Sequence, residues 1–95
     1  MDIEVLKKKV EPLCVESNVE MLGVFGSVAR GDDHIGSDID LLIRFKGPVG
    51  MFALSRLEGQ FEKVIGRRVD LGTEGSLLPL IEENVVRELR ILYER

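Results

Sequence analysis

Two aspartates one residue apart, Asp38 and Asp40, stand in an otherwise apolar stretch with Ile39, Leu41, Leu42 and Ile43. Side chains of a strand alternate between faces, so Asp38, Asp40 and Leu42 share one side and Ile39, Leu41 and Ile43 the other. The two carboxylates would then lie roughly 6.5 to 7 Å apart along the strand. They can converge on one divalent cation, or hold two cations about 3.5 to 4 Å apart. Mg²⁺ suits such a site, because it takes oxygen ligands from one or two carboxylates together with substrate phosphates. A solvated strand face is the plainer alternative. Against it, Asp is a poor strand former, and like charges side by side are unfavourable without a cation. Val69-Asp70-Leu71 repeats the pattern of one Asp inside an apolar strand. If that strand lies beside the first, Asp70 joins the same cluster.

Upstream, Gly26-Ser27-Val28-Ala29-Arg30-Gly31 follows a strand pattern and reads as a strand-to-helix turn. Glycine lets the backbone approach a phosphate closely, and N–H groups at a helix start favour an anion. The Ser27 hydroxyl can donate a further hydrogen bond. A plain turn with a Ser cap would look the same, so the turn gains weight only from the Asp-x-Asp strand that follows. It is neither a P-loop nor a dinucleotide fingerprint. A nucleotide here would be held by metal and backbone rather than by a P-loop lysine. Arg30 can contact a phosphate or the acceptor, or pair with Asp32 or Asp33 and fix the loop; the structural role comes first. Ser37 orients the start of the Asp strand. His34 is the only histidine, without Cys or His neighbours, and is a poor zinc ligand candidate. Phosphate turn and metal pair together point to phosphoryl or nucleotidyl transfer.

The elements that must position these residues follow from periodicity. Asp2 caps a first helix running to about Ser17, with Ile3, Leu6, Val10, Leu13 and Cys14 on its apolar face. Met21 to Phe25 reads as a short buried strand and Ser27 to Arg30 as a short helix. Asp32 to Gly36 is a polar loop and Ser37 to Phe45 the second strand. Gly47-Pro48-Val49-Gly50 breaks the chain. Met51 to Ile65 is a helix with Met51, Leu54, Leu57, Phe61, Val64 and Ile65 on one side. Arg68 to Gly72 is a third strand and Gly72 to Ser76 a turn. Pro79 opens another helix, running to about Leu89. Ile91-Leu92-Tyr93 either extends that helix or forms a short edge strand. This order predicts an α/β or α+β fold, a small mixed sheet flanked by helices, as one domain over residues 1–95.

Composition narrows the function. The 95 residues are 44% hydrophobic and 32% charged, enough for one modest core. The net charge is −4, and the basic runs Lys7-Lys8-Lys9 and Arg67-Arg68 are short, which argues against nucleic acid as a direct partner. Cys14 is the only cysteine, so no intrachain disulfide forms, and its place on an apolar helix face makes it a small core residue. The N-terminus lacks a signal-peptide pattern and no apolar run is long enough to span a membrane, so the expectation is a soluble cytoplasmic protein.

Gly26-Ser27-x-x-Arg30-Gly31, then Ser37-Asp38-x-Asp40-Leu41, then Val69-Asp70-Leu71 resembles the minimal nucleotidyltransferases of the DNA polymerase beta-like superfamily. The resemblance runs from about Val24 to Leu71. It implies the polymerase beta-like nucleotidyltransferase fold. It implies that Asp38 and Asp40 bind the metals, that Asp70 completes the catalytic triad, and that Gly26 and Ser27, with Arg30 and Ser37, hold the nucleotide. It implies Mg²⁺, two ions, as cofactor and ATP as nucleotide donor. Such proteins resemble the antitoxin half of two-gene modules with a HEPN-domain toxin. Some members transfer AMP to a tyrosine of that partner and silence it.

Three functions follow. The first is AMP transfer to a protein hydroxyl, with a partner or a homo-oligomer supplying acceptor recognition that so short a chain lacks. The apolar segment Leu77 to Tyr93 is a candidate contact surface, or simply packs on the sheet. The second is a binding module that neutralises its partner by occlusion. The third, transfer to a small molecule, is disfavoured by the missing second domain.

Overall fold

The structure, a computed structural model, describes residues 1–73 and 87–95. Helix α1 (Ile3–Glu16) starts where the Asp2 carboxylate accepts from the Glu4 N–H at 2.8 Å. Such a cap satisfies one of the free donors of the first turn. Leu6, Val10 and Cys14 are its buried residues, as helical spacing predicts. The chain reverses at Asn18, whose φ of 58° lies in the left-handed region that Asn tolerates.

Strand β1 (Val19–Phe25) begins two residues earlier than its apolar pattern predicts. An irregularity in the pairing between Val19 and Met21 explains this: Val19, Leu22 and Val24 all reach one core although their spacing is not strictly alternate. Helix α2 (Gly26–Arg30) follows and ends at Gly31. Strand β2 (Ile39–Phe45) starts after Asp38 rather than at Ser37. The Ser37 N–H is held in a turn by the His34 carbonyl at 3.0 Å, and the ladder opens only with Ile39 N–H donating to the Arg68 carbonyl at 2.8 Å. Helix α3 (Met51–Ile65) buries Leu57, Phe61 and Ile65. Met51 is 83% exposed and Val64 39%, so neither joins the apolar face expected of it. Met51 sits at the first helical position, beyond the reach of the sheet. Strand β3 spans Val69–Thr73 and strand β4 Arg90–Glu94, which settles Ile91-Leu92-Tyr93 as strand. The helix expected from Pro79 lies, over residues 79–86, outside the described residues.

The sheet order is β3-β2-β1-β4, with β4 at an edge. Strand β1 runs antiparallel to β2 and β4, and β2 runs parallel to β3, so the sheet is mixed as expected. Helices α1 and α3 pack on one face, where Leu6, Val10, Leu57 and Phe61 meet Leu22, Val24, Ile39, Leu41, Ile43, Val69 and Leu71 in the main core. Among the described residues, the opposite face carries a small cluster of Met21 and Leu42, with Phe25 and Leu89 against it. The β3 edge is closed from the side: Glu62 accepts from the Val69 N–H and Glu58 from the Leu71 N–H, both at 3.0 Å. One turn of α3 thus satisfies the donors that an edge strand leaves open.

Candidate active site

The register brings the three aspartates to one end of one face. Asp40 pairs laterally with Asp70 across the parallel β2–β3 ladder, and with Phe25, the last residue of β1, on its other side. Adjacent strands are about 4.8 Å apart, so Asp40 is the middle carboxylate. Asp38 lies one residue ahead of β2 and is exposed; Asp40 is half-buried; Asp70 is exposed. The carboxyl of Asp40 titrates above its ordinary range, first because burial disfavours its charge, then because Asp70 and Asp38 stand near it; Arg30 opposes the rise. That is the signature of a negative cluster short of positive charge.

Gly26 sits directly against this carboxylate. Its φ is 74°, and a Cβ built there would collide with Oδ2 of Asp40. Only glycine meets both constraints, so the turn and Asp40 form one structural unit. Ser27 is partly exposed in the first turn of α2.

Arg30 hydrogen-bonds none of the three aspartates of the cluster. Its Nε donates to Asp32 at 3.2 Å and its Nη1 to Glu88 at 3.1 Å, and these contacts, Asp32 first, raise its pKa further. The expected pairing with Asp32 is present; Asp33 pairs elsewhere. The Ser37 hydroxyl accepts from the His34 N–H at 3.1 Å, which fits its role in orienting the start of the strand.

Arg67 is the residue that sequence reading passed over. In the sequence it is simply half of the short basic run Arg67-Arg68. Its guanidinium donates to Asp33 at 2.9 Å, to the Ser37 carbonyl at 3.2 Å and to the His34 carbonyl at 3.3 Å. The Asp33 carboxyl is held below its ordinary range, first by Arg67 and then by the N-terminal amino group. Arg67 therefore clamps the loop from Asp33 to Ser37 and so fixes where Asp38 emerges. No local signal marks it, because its partners are some thirty residues away in the chain.

Among the described residues no three His, Cys, Asp or Glu side chains are drawn together closely enough to hold an ion in their present placement. The aspartates fit a divalent cation by donor chemistry, by sharing a face and by the raised titration of Asp40, without forming a finished cage. Mg²⁺ does not need one, since it keeps waters and takes substrate phosphates among its ligands. No helix among the described residues is long and apolar enough to cross a membrane.

Comparison with known proteins places the fold and the family. The family model described as nucleotidyltransferase domain matches residues 5–92. The protein adenylyltransferase MntA of Thermococcus cleftensis is 38% identical over 71 residues, 75% of this chain and 72% of the relative. A solved structure described as that of a "putative minimal nucleotidyltransferase" is 38% identical, covers 95% of each chain and superposes with a TM-score of 0.81. A chain from the complex of tri-AMPylated HEPN toxin with MNT antitoxin of Shewanella oneidensis shares the fold at 18% identity, with a TM-score of 0.76 over 99% of this chain and 74% of that one. The chain belongs to the nucleotidyltransferase domain family and has the mixed-sheet fold of its minimal members.

Proposed function

We propose that the protein transfers AMP from ATP to a hydroxyl of a partner protein, a tyrosine of a HEPN-domain toxin, and so acts as its antitoxin. The observation that carries this reading is the lateral pairing of Asp40 with Asp70, beside Asp38, on the sheet face left open by α1 and α3 and against the Gly26 turn. The name of the Thermococcus cleftensis relative and the AMPylated toxin in the Shewanella oneidensis complex support the choice of AMP and of a protein acceptor.

In this reaction the acceptor oxygen bonds to the α-phosphorus in line with the bond to the leaving pyrophosphate, which breaks. Bound Mg²⁺, two ions in this reading, supplies charge neutralisation of the triphosphate and a lower pKa for the acceptor hydroxyl. Asp38 and Asp40 are the donors that would hold it, and Asp70 would complete the set and accept the hydroxyl proton. Gly26 and Ser27 steady the departing phosphates through backbone and hydroxyl donors. Arg30, held by Asp32 and Glu88, lends positive charge from the flank and offsets part of the charge on Asp40.

Incubation with Mg²⁺, ATP and a HEPN-domain protein from the same genome tests the reading. Label from α-labelled ATP, but none from γ-labelled ATP, should appear on the partner, and Asp38→Asn or Asp40→Asn should remove it. Neutralisation of the partner by either variant, without ATP, would instead establish occlusion.

A further inference from the structure

We propose that Arg67 is a positioning residue that sets the divalent-cation affinity of the site, by holding the loop from Asp33 to Ser37 so that Asp38 faces the ion beside Asp40 and Asp70. The inference rests on the metal-dependent transfer proposed above and adds what fixes its outermost carboxylate.

The three aspartates are not held alike. Asp40 and Asp70 lie inside β2 and β3 and are paired in the parallel register. Asp38 lies ahead of β2, and the ladder opens only after it, where the Ile39 N–H donates to the Arg68 carbonyl at 2.8 Å. Apolar burial does not hold the loop that carries it either. No residue from Gly31 to Asp38 is buried, and Ile35 is fully exposed, at 101% of its reference area. A segment with so few apolar contacts opens locally unless polar contacts hold it.

Arg67 supplies such contacts from across the fold. Its Nη1 donates to Asp33 at 2.9 Å, its Nε to the Ser37 carbonyl at 3.2 Å, and its Nη2 to that carbonyl and to the His34 carbonyl. Asp33 also accepts from the N-terminal amino group at 3.1 Å, and the His34 N–H donates to the Ser37 hydroxyl. The Ser37 carbonyl belongs to the planar peptide that leads into Asp38, so an anchored oxygen fixes the plane from which Asp38 departs. Arg67 also stands three residues ahead of Asp70. One side chain thus ties the entry of β3 to the loop and sets the two outer carboxylates relative to each other. The planar fork reaches all these acceptors at once, whereas a lysine offers a single point charge. Groups that orient a metal ligand from behind are worth about 10–100-fold in affinity.

Charge and position predict opposite signs, which makes the proposal testable. Arg67→Ala removes a positive charge near the site, and Coulomb attraction alone would then tighten cation binding. The proposal predicts weaker binding. Mn²⁺ titrations of the nucleotide-free protein, read from the EPR signal of the free ion, compare the wild type with Arg67→Ala, Arg67→Lys and Arg68→Ala. Affinity should fall about tenfold in Arg67→Ala and by less in Arg67→Lys, although the latter keeps the charge. Arg68→Ala, which removes a charge without touching the clamp, should bind the ion at least as tightly as the wild type. The Mg²⁺ concentration that gives half-maximal AMP transfer should rise with the loss of affinity, and excess Mg²⁺ should restore the rate. If Arg67→Ala does not fold, Arg67→Lys carries the test. Mn²⁺ affinity that is unchanged or higher in the Arg67 variants would overturn the proposal, as would a loss of transfer that excess Mg²⁺ does not restore. A wild type that binds no Mn²⁺ would overturn it together with the metal reading. Ion binding that depends on Arg67, without AMP transfer by the wild type, would uphold the clamp and refute the transfer reading.

Discussion

The two faces of the sheet are made from the same strands in alternation, yet they do opposite work. In β2, Ile39, Leu41 and Ile43 are fully buried beneath α1 and α3, while Asp40 between them looks out beside the exposed Asp38. In β3, Val69 and Leu71 enter the same core and Asp70 turns away. The covered face repays the entropy of ordering the chain by burying apolar surface. The open face gathers negative charge, and there burial and the neighbouring Asp70 and Asp38 disfavour the charged form of Asp40. A period of two thus lets one segment specify the fold with every other residue and, in the function proposed above, carry the chemistry with the rest. Substitutions should accordingly separate into those that destroy the fold and those that destroy only the reaction.

The largest effect belongs to the covered face. Phe61, fully buried at the meeting of α3 with the sheet, should cost about 3–5 kcal/mol when replaced by Ala. Thermal unfolding should show a loss of tens of degrees or no folded protein at all. If Phe61→Ala melted like the wild type, the division of labour between the faces would fail.

Asp40→Asn should show the reverse pattern. AMP transfer should fall by about 10²–10³-fold or more, and the ion-free protein should melt a few degrees higher at neutral pH. The sign follows from the raised titration of Asp40. The folded state holds this proton more tightly than the unfolded chain, so wild-type stability falls as pH rises above the usual carboxylate value of about 3.9. Asn removes that fall, and the advantage of the variant should vanish below that pH. Added Mg²⁺ with ATP should raise the wild-type melting temperature and leave the variant unmoved.

Gly26→Ala probes the seam between the faces. It should cost about 1–3 kcal/mol for the left-handed backbone and push the Asp40 carboxylate aside. Both melting temperature and transfer should drop, a combination that neither face alone produces. Glu58→Gln keeps an acceptor for the Leu71 N–H and should change stability by less than about 1 kcal/mol, read from a denaturant midpoint.

The carboxylates were legible because their signal is local. An Asp inside an apolar strand breaks the composition of its own segment, and period two says which face it takes. The helices α1 and α3 were legible for the same reason, through spacing and caps. Long-range pairing was not. That β2 and β3 run parallel, with Asp40 opposite Asp70, was a condition rather than a deduction, since parallel register is set by the crossover through α3. The clamp of Arg67 on Asp33 and Ser37 has no footprint near any of the three residues. The contact of Gly26 with Asp40 joins two motifs that the sequence could only set side by side, and it turns a weak turn signal into a required glycine.

The central claim is that the open face transfers AMP. The intact mass of the proposed HEPN-domain partner, taken after incubation with Mg²⁺, ATP and either the wild type or Asp40→Asn, tests it most directly. The account predicts a gain of one or more AMP units with the wild type, loss of toxin activity in proportion, and neither with Asp40→Asn. A partner that is silenced at unchanged mass, or equally modified by both proteins, would contradict it.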